Sequence, residues 1–536
     1  MKLSFYGADR CVTGSCHCLE VNGKRILVDC GLQQGRDEVD NTALPFHPGS
    51  IDAVLVTHAH IDHSGRIPML IKNGFQGKII TTRLTADLLD IMLQDSAHIQ
   101  EQDAEYQNRK NRRAGRPEIE PIYTVADALR VREFIQTCEY GQDVPVTDGV
   151  TAQFIDAGHL LGSASIRLTC REGDEERTVV FSGDIGNVDQ PIIRDPQFFT
   201  DADYVLTEST YGDRNHTEVW SYTDELAEII DETLRKGGNV VIPSFAVGRT
   251  QELLYTIRKI KSEKLSRTDF PVWLDSPLAI EATNIYKTTL RSYFDEEAAE
   301  LLDSGVNPIE FPGLHLAVSS DESKQINFDI TPKVIISASG MCEAGRIRHH
   351  LKYNLWRPEC TVLFVGYQVE GTMGRKLLDG ARYVNLFGES VKVAAHIEKL
   401  DGISGHADRQ MLLDWLATLN KRPEKVFVNH GADGVCDSFA EAVKENLGID
   451  AVAPYSGDAY DVATLTQLES GDRKKAERDS GFRKRSASAV WSRLYAAGMR
   501  LISLIEKSRG CRTKDMAALT NRINVLCDKH EEILRK

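Results

Sequence analysis

Short apolar runs that stop abruptly at polar or glycine-rich loops recur along this chain. Leu3-Ser4-Phe5, Cys18-Leu19-Glu20-Val21 and Ile26-Leu27-Val28 alternate or run apolar, and Asn22-Gly23 between the last two is a hairpin signal. Ile51-Asp52-Ala53-Val54-Leu55-Val56 reads as a buried strand, and the segment from Arg66 to Ile71 as a helix. Residues 84–136 read as helices broken by a polar stretch from Asn108 to Arg116. Val150 to Ile155, Arg177 to Phe181 and Ala202 to Glu208 are further strands. From about 220 to 380 the pattern changes to repeated strand–loop–helix units, with apolar runs at Val240-Val241-Ile242, Val272-Trp273-Leu274, Val334-Ile335-Ile336 and Val362-Leu363-Phe364. Strand-rich patterning returns after 380 and ends with Val426-Phe427-Val428. The middle units therefore read as an α/β insertion into a larger strand-rich domain.

The chemistry collects where strands end. His58-Ala59-His60-Ile61-Asp62-His63 follows the 51–56 run, and period-two geometry points His58 and His60 the same way. Imidazole and carboxylate suit zinc, and four such groups in six residues exceed what one catalytic ion with an open position takes, so two ions are implied. His159, Asp184 and His430 each stand just past a strand, and Asp29 sits where a carboxylate would hold an imidazole in place. An Asp bridging two ions would make the site binuclear. In the insertion, loops with Ser244, Phe245, Arg249, Ser339, Gly340, Met341 and Arg375 open helices, where free N–H groups and the helix dipole favour anions. His349-His350, on a helix, read as structural or facing a nucleic acid.

Composition narrows this picture. The 536 residues allow more than one domain, and no apolar run is long enough to span a membrane. The first residues lack a signal-peptide pattern, so a cytoplasmic protein is expected. The eleven cysteines are odd in number and scattered; Cys16-His17-Cys18 reads as strand residues in a reducing compartment rather than a metal site. The net charge of −15 does not advertise a nucleic-acid binder. Residues 461–536, however, carry 17 Lys and Arg against 10 Asp and Glu, which leaves −22 for residues 1–460. An acidic total is compatible with a polyanion when metal ions supply local positive charge. The stretch from Arg473 to Arg485 reads as a basic linker. Val490, Leu494, Leu501 and Ile505, then Leu519, Ile523, Leu526 and Ile533, recur at helical spacing, as in a helical hairpin that docks on the body or pairs with a second chain as a homodimer.

These residues resemble the metallo-β-lactamase superfamily and, within it, the β-CASP nucleases, the group of ribonuclease J and the pre-mRNA cleavage endonuclease. The likeness covers about residues 1–460. It implies a four-layer αββα sandwich (1–208 and 379–460) with an inserted α/β β-CASP domain (209–378); the basic linker and helical tail (461–536) lie outside it. It also implies a ribonuclease acting on single-stranded RNA through two Zn2+, with Mn2+ as an alternative. One ion would be held by His58, His60 and His159, the other by Asp62, His63 and His430, with Asp184 between them and Asp29 behind. Glu208 and His406 fall at two additional β-CASP motifs, with His406 as proton donor oriented by Glu208, and Asp62 among the catalytic groups. A His at 430 goes with the RNA-cleaving members. The segments 243–249 and 339–341 look like those lining the RNA path. A small-ester or thioester hydrolase, and a catalytically silent RNA-binding scaffold, are the rival readings.

Overall fold

The computed structural model describes residues 1–35, 41–216, 222–289, 291–400, 404–471, 473, 498, 501–502, 505 and 512–534. Two sheets face each other. One has eight strands, with Lys2–Gly7, Cys16–Val21, Lys24–Val28, Ala53–Leu55, Lys78–Thr82 and Ile135–Cys138 in spatial sequence and Ala459–Asp461 and Gln467–Glu469 beside the first. The other has seven, running from Ala451–Val452 through Lys425–Val428, Tyr204–Thr207, Glu175–Phe181, Ala164–Glu172 and Val150–Asp156 to Asp143–Thr147. Leu3, Phe5, Leu55, Phe154, Phe181, Leu206 and Phe427 fill the space between them. The outer face of the first sheet is covered by Met69, Leu70, Leu88 and Leu89 from its helices, and that of the second by Leu412, Trp415, Phe439 and Val443. This is helix, sheet, sheet, helix: each sheet buries one face on the other and one on helices.

The insertion is built on a six-stranded parallel sheet, with Val272–Leu274, Val334–Ser337, Val240–Pro243 and Thr361–Phe364 neighbouring one another. The last three are buried at every position, as parallel strands covered on both faces must be.

Three boundaries differ from the sequence reading. The strand His396–Lys399 pairs in parallel with Thr361–Phe364, so the inserted sheet extends past residue 378; a short alternating strand carries no mark of which sheet it joins. Ala459–Asp461 pairs with Lys2–Gly7, so the sandwich continues past 460. The helix Arg83–Arg113 runs through most of the polar stretch expected to be a loop. Its end is tied down by Asn108, whose side chain bonds both the N–H and the C=O of Ile119. The hairpin at Asn22-Gly23 is as expected, with both residues at positive φ. In the tail, the helix Thr513–Leu534 is present, while the linker and most of the first tail helix lie outside the described residues.

Candidate metal centre

Each strand end delivers one part of the site. Asp29 follows Lys24–Val28, His58 follows Ala53–Leu55, His159 follows Val150–Asp156, Asp184 follows Glu175–Phe181, Glu208 follows Tyr204–Thr207 and His430 follows Lys425–Val428, all within three residues. The loops meet closely because glycine permits it. A Cβ on Gly31 would lie 1.6 Å from the Asp62 carbonyl oxygen, and one on Gly186 1.6 Å from that of Gly158.

The gathered side chains form three overlapping groups. His58, His60, His159 and Asp184 have ligand atoms within 4.8 Å of one another, as do Asp62, His63 and His430, and Asp184, Glu208 and His430. Proton bookkeeping shows what they lack. His159 Nδ1 faces the Gly405 carbonyl at 2.6 Å, so it carries the hydrogen and leaves a lone pair on Nε2. Thr57 directs its hydroxyl to Asp29 and is left to accept from His58 Nδ1 at 3.1 Å, which leaves a lone pair on His58 Nε2. Those two nitrogens lie 3.2 and 3.0 Å from His60 Nδ1, which has at most one hydrogen to offer. His63 likewise donates from Nδ1 to Asp29 at 2.7 Å, while its Nε2 stands 3.2 Å from both His430 Nε2 and Asp184 Oδ1. Asp184 Oδ1 is buried and accepts no hydrogen bond among the described residues. Converging lone pairs and an orphaned carboxylate oxygen fit cations, and the donor set of imidazole nitrogen and carboxylate oxygen fits zinc.

Electrostatics divide the histidines. Burial drives His58 and His159 well below the usual histidine range, so they are neutral and able to ligate. Burial acts the same way on His63, but the Asp184 and Asp29 carboxylates outweigh it and raise the group. Asp184 is raised by burial and pulled well below its ordinary value by His430, His63 and His58. Asp62 is likewise pulled down, to about 2, by the His430 hydrogen bond against burial.

Beside this cluster, His406 Nδ1 lies 3.1 and 3.2 Å from the two Glu208 oxygens. Burial lowers its pKa, yet the Glu208 charge and hydrogen bond lift it to about 9. Glu208 is itself fixed by the Ile185 and Thr210 N–H groups at 2.6 and 3.2 Å.

The residues marked as anion-binding in the insertion are less uniform. Phe245 is exposed and lies against Gly340. Ser244 is buried and accepts from Thr250, and Arg249 turns inward to pair with Glu252. Ser339 and Met341 are half-buried beside Gly340, and Arg375 pairs with Asp379 on the surface.

Sequence reasoning missed several supports. Thr57 and Ser15 both donate to Asp29. His216 Nε2 sits 2.9 Å from the His406 carbonyl oxygen, and Tyr211 packs edge-on against His216. Arg10 reaches Asp433, Asp437 and the Ala453 carbonyl, beside the loop whose Ala8 carbonyl receives the His430 N–H. Single polar residues in loops carry no periodic signal, so only contacts find them. Cys16 and Cys18 are buried strand residues, as read, and belong to no metal-type group among the described residues.

Comparison with known proteins follows the same lines. Residues 9–232 match the metallo-beta-lactamase superfamily model, 250–377 the Beta-Casp domain model, and 390–454 a model described as a Zn-dependent metallo-hydrolase RNA specificity domain. The chain is 38% identical over 417 residues to ribonuclease TTHA0252 of Thermus thermophilus, covering 78% of this chain and 90% of that protein. It is 31% identical over 459 residues to an RNase J-like protein of Methanocaldococcus jannaschii, covering 85% and 98%. It is 30% identical over 478 residues to transcription termination factor FttA of Pyrococcus abyssi, covering 85% and 71%. No described helix is long and apolar enough to cross a membrane.

Proposed function

Since the chain belongs to the β-CASP ribonucleases of the metallo-β-lactamase superfamily, and is a metal-dependent hydrolase of that kind, we propose that it cleaves single-stranded RNA with two Zn2+, Mn2+ being an alternative occupant. His58, His60 and His159 would hold one ion, Asp62, His63 and His430 the other, and Asp184 would lie between them. When bound, such ions lower the pKa of water and neutralise phosphate charge. The rest falls to the protein. Asp29, locked by Thr57 and Ser15, fixes which nitrogen of His63 bears its hydrogen. Glu208 orients His406 and keeps it protonated, so that its free Nε2–H can be given to the departing 3′ oxygen.

The observation that carries this reading is the His406–Glu208 pair set beside converging imidazole lone pairs that suit cations. A silent scaffold has no need of a histidine held charged at the rim of a metal site. The names of the relatives, a ribonuclease and an RNase J-like protein, support RNA over a small ester. The test uses purified protein with measured metal content and end-labelled single-stranded RNA bearing 5′ hydroxyl, monophosphate or triphosphate, beside a nitrophenyl ester. RNA cleavage lost on chelation and regained with zinc is expected, and the product ladder separates internal cuts from trimming at the 5′ end. Ester turnover without RNA cleavage would overturn the assignment.

A further inference from the structure

The helix Ile347–Asn354 follows directly on the loop that carries Ser339, Gly340 and Met341, and it is stitched to it. The Ile347 N–H donates to the Ala338 carbonyl, and Gly345 approaches that same carbonyl so closely that a Cβ would clash. Its inner face is ordinary core, with Ile347, His350, Leu351 and Asn354 buried. Its outer face is not an ordinary solvent face. His349 is exposed and stacks on Phe387 at the tip of the hairpin Tyr383–Leu386/Glu389–Lys392, with ring centroids 4.4 Å apart and planes at 28°. The Arg348 guanidinium lies 4.9 Å from the centre of the Phe387 ring. One turn on, Tyr353 is 39% exposed and meets Phe328, which is 70% exposed; Trp356, just past the helix end, is 58% exposed. A helix of a globular domain places charged and polar groups on such a face, since exposed aromatic rings gain nothing from water.

We propose that this flank, from His349 and Phe387 through Tyr353 to Trp356, is a stacking surface for single-stranded RNA continuing away from the Ser339–Met341 loop. The inference rests on the RNA reading above and adds a second contact region to it. His349 and Tyr353 lie one turn apart on the helix, and Trp356 stands two residues past its end. Unsequenced recognition of single strands works through such ladders, because every base has a flat face to offer. The cation over Phe387 is where a phosphate between stacked bases would pass. The flank is bonded to the 338–345 loop through the Ile347 N–H, so a strand bound at that loop under the RNA reading would run onto it, which favours the substrate over a separate protein partner.

The experiment uses the full chain, in a His406→Asn background for binding and in the wild-type background for cleavage. Unstructured RNAs of about 6 and about 24 nucleotides bracket the length that one surface accommodates. Tyr353→Ala with Trp356→Ala is expected to raise the Kd of the long RNA by about 10- to 100-fold, and to change kcat/KM on the short RNA by less than about twofold. Trp356→Phe should retain the affinity while losing the fluorescence quenching that long RNA causes. Unchanged long-RNA affinity in the double alanine variant overturns the proposal. So does an oligomer that sediments as a monomer only in that variant with RNA affinity intact, since the flank is then a protein contact. Wild-type protein that cleaves neither RNA would instead bring down the functional reading itself.

Discussion

Among the described residues, two buried clusters of histidine and carboxylate can be set side by side, and they differ in one respect. At the mouth of the sandwich, Asp184 keeps a buried oxygen that accepts no hydrogen bond among the described residues, with only the His63 and His430 rings at 3.2 and 3.6 Å, and the inward nitrogens of His58, His60 and His159 face one another. In the insertion, Asp275 is fully buried as well, yet it is saturated. Its carboxylate accepts from Ser323 at 2.6 Å, from His350 at 2.6 Å and from Arg346 at 2.7 Å, while its backbone oxygen accepts from Ser337. His350 completes its own needs on Asn327, and Arg346 on the Ala317 and Val318 carbonyls. Burying a charge is tolerable only when it is paired and hydrogen-bonded. The saturated cluster meets that condition with protein alone and is a fastener joining the ends of strands and helices. The unsaturated one leaves imidazole lone pairs converging on a carboxylate oxygen that no hydrogen bond among the described residues satisfies, the arrangement that suits metal ions.

The comparison can be broken by experiment. The largest effect is expected from Asp184→Ala: RNA cleavage falls to background and bound zinc is lost, as measured by atomic absorption on the purified variant. Retention of two ions per chain would mean that the carboxylate does not lie between them. Next, His406→Ala should keep its metal while kcat drops by about 10²- to 10⁴-fold; a wild-type rate would remove His406 from the chemistry. Asp275→Ala should do the reverse, costing about 3–5 kcal/mol in urea unfolding because Arg346 and His350 lose their partner, with metal affinity per folded molecule unchanged. A loss of zinc there would make the two clusters one system.

The smallest effect is a matter of sign. Glu208 holds His406 at about 9, so the acid stays protonated until the pH rises past that value. In Glu208→Gln the support is gone while burial remains, so the basic limb of the kcat profile should move to lower pH. A profile that does not move would mean that the limb belongs to another group.

This contrast also explains what the sequence could and could not reveal. His58 to His63, His159, Asp184 and His430 were legible because each follows an apolar run, and strand ends in a sandwich converge on one rim. The triad of Asp275, Arg346 and His350 was opaque, since a saturated set spread over 75 positions has no spacing rule; His350 read only as structural or facing a nucleic acid, and Asp275 and Arg346 not at all. The strand His396–Lys399 was assigned to the sandwich because two sheets in one chain use the same alternation, and only its pairing with Thr361–Phe364 decides between them. The inward turn of Arg249 toward Glu252 belongs to the same class, being fixed by side-chain geometry that no pattern encodes.

The rim draws its groups from both ends of the polypeptide, Asp29 through His63 near the start and His430 only after the whole insertion. During translation the emerging chain therefore carries most of its would-be ligands for hundreds of residues without the last one. A product cut short before residue 430 never acquires the complete set, whatever the state of the groups that precede it.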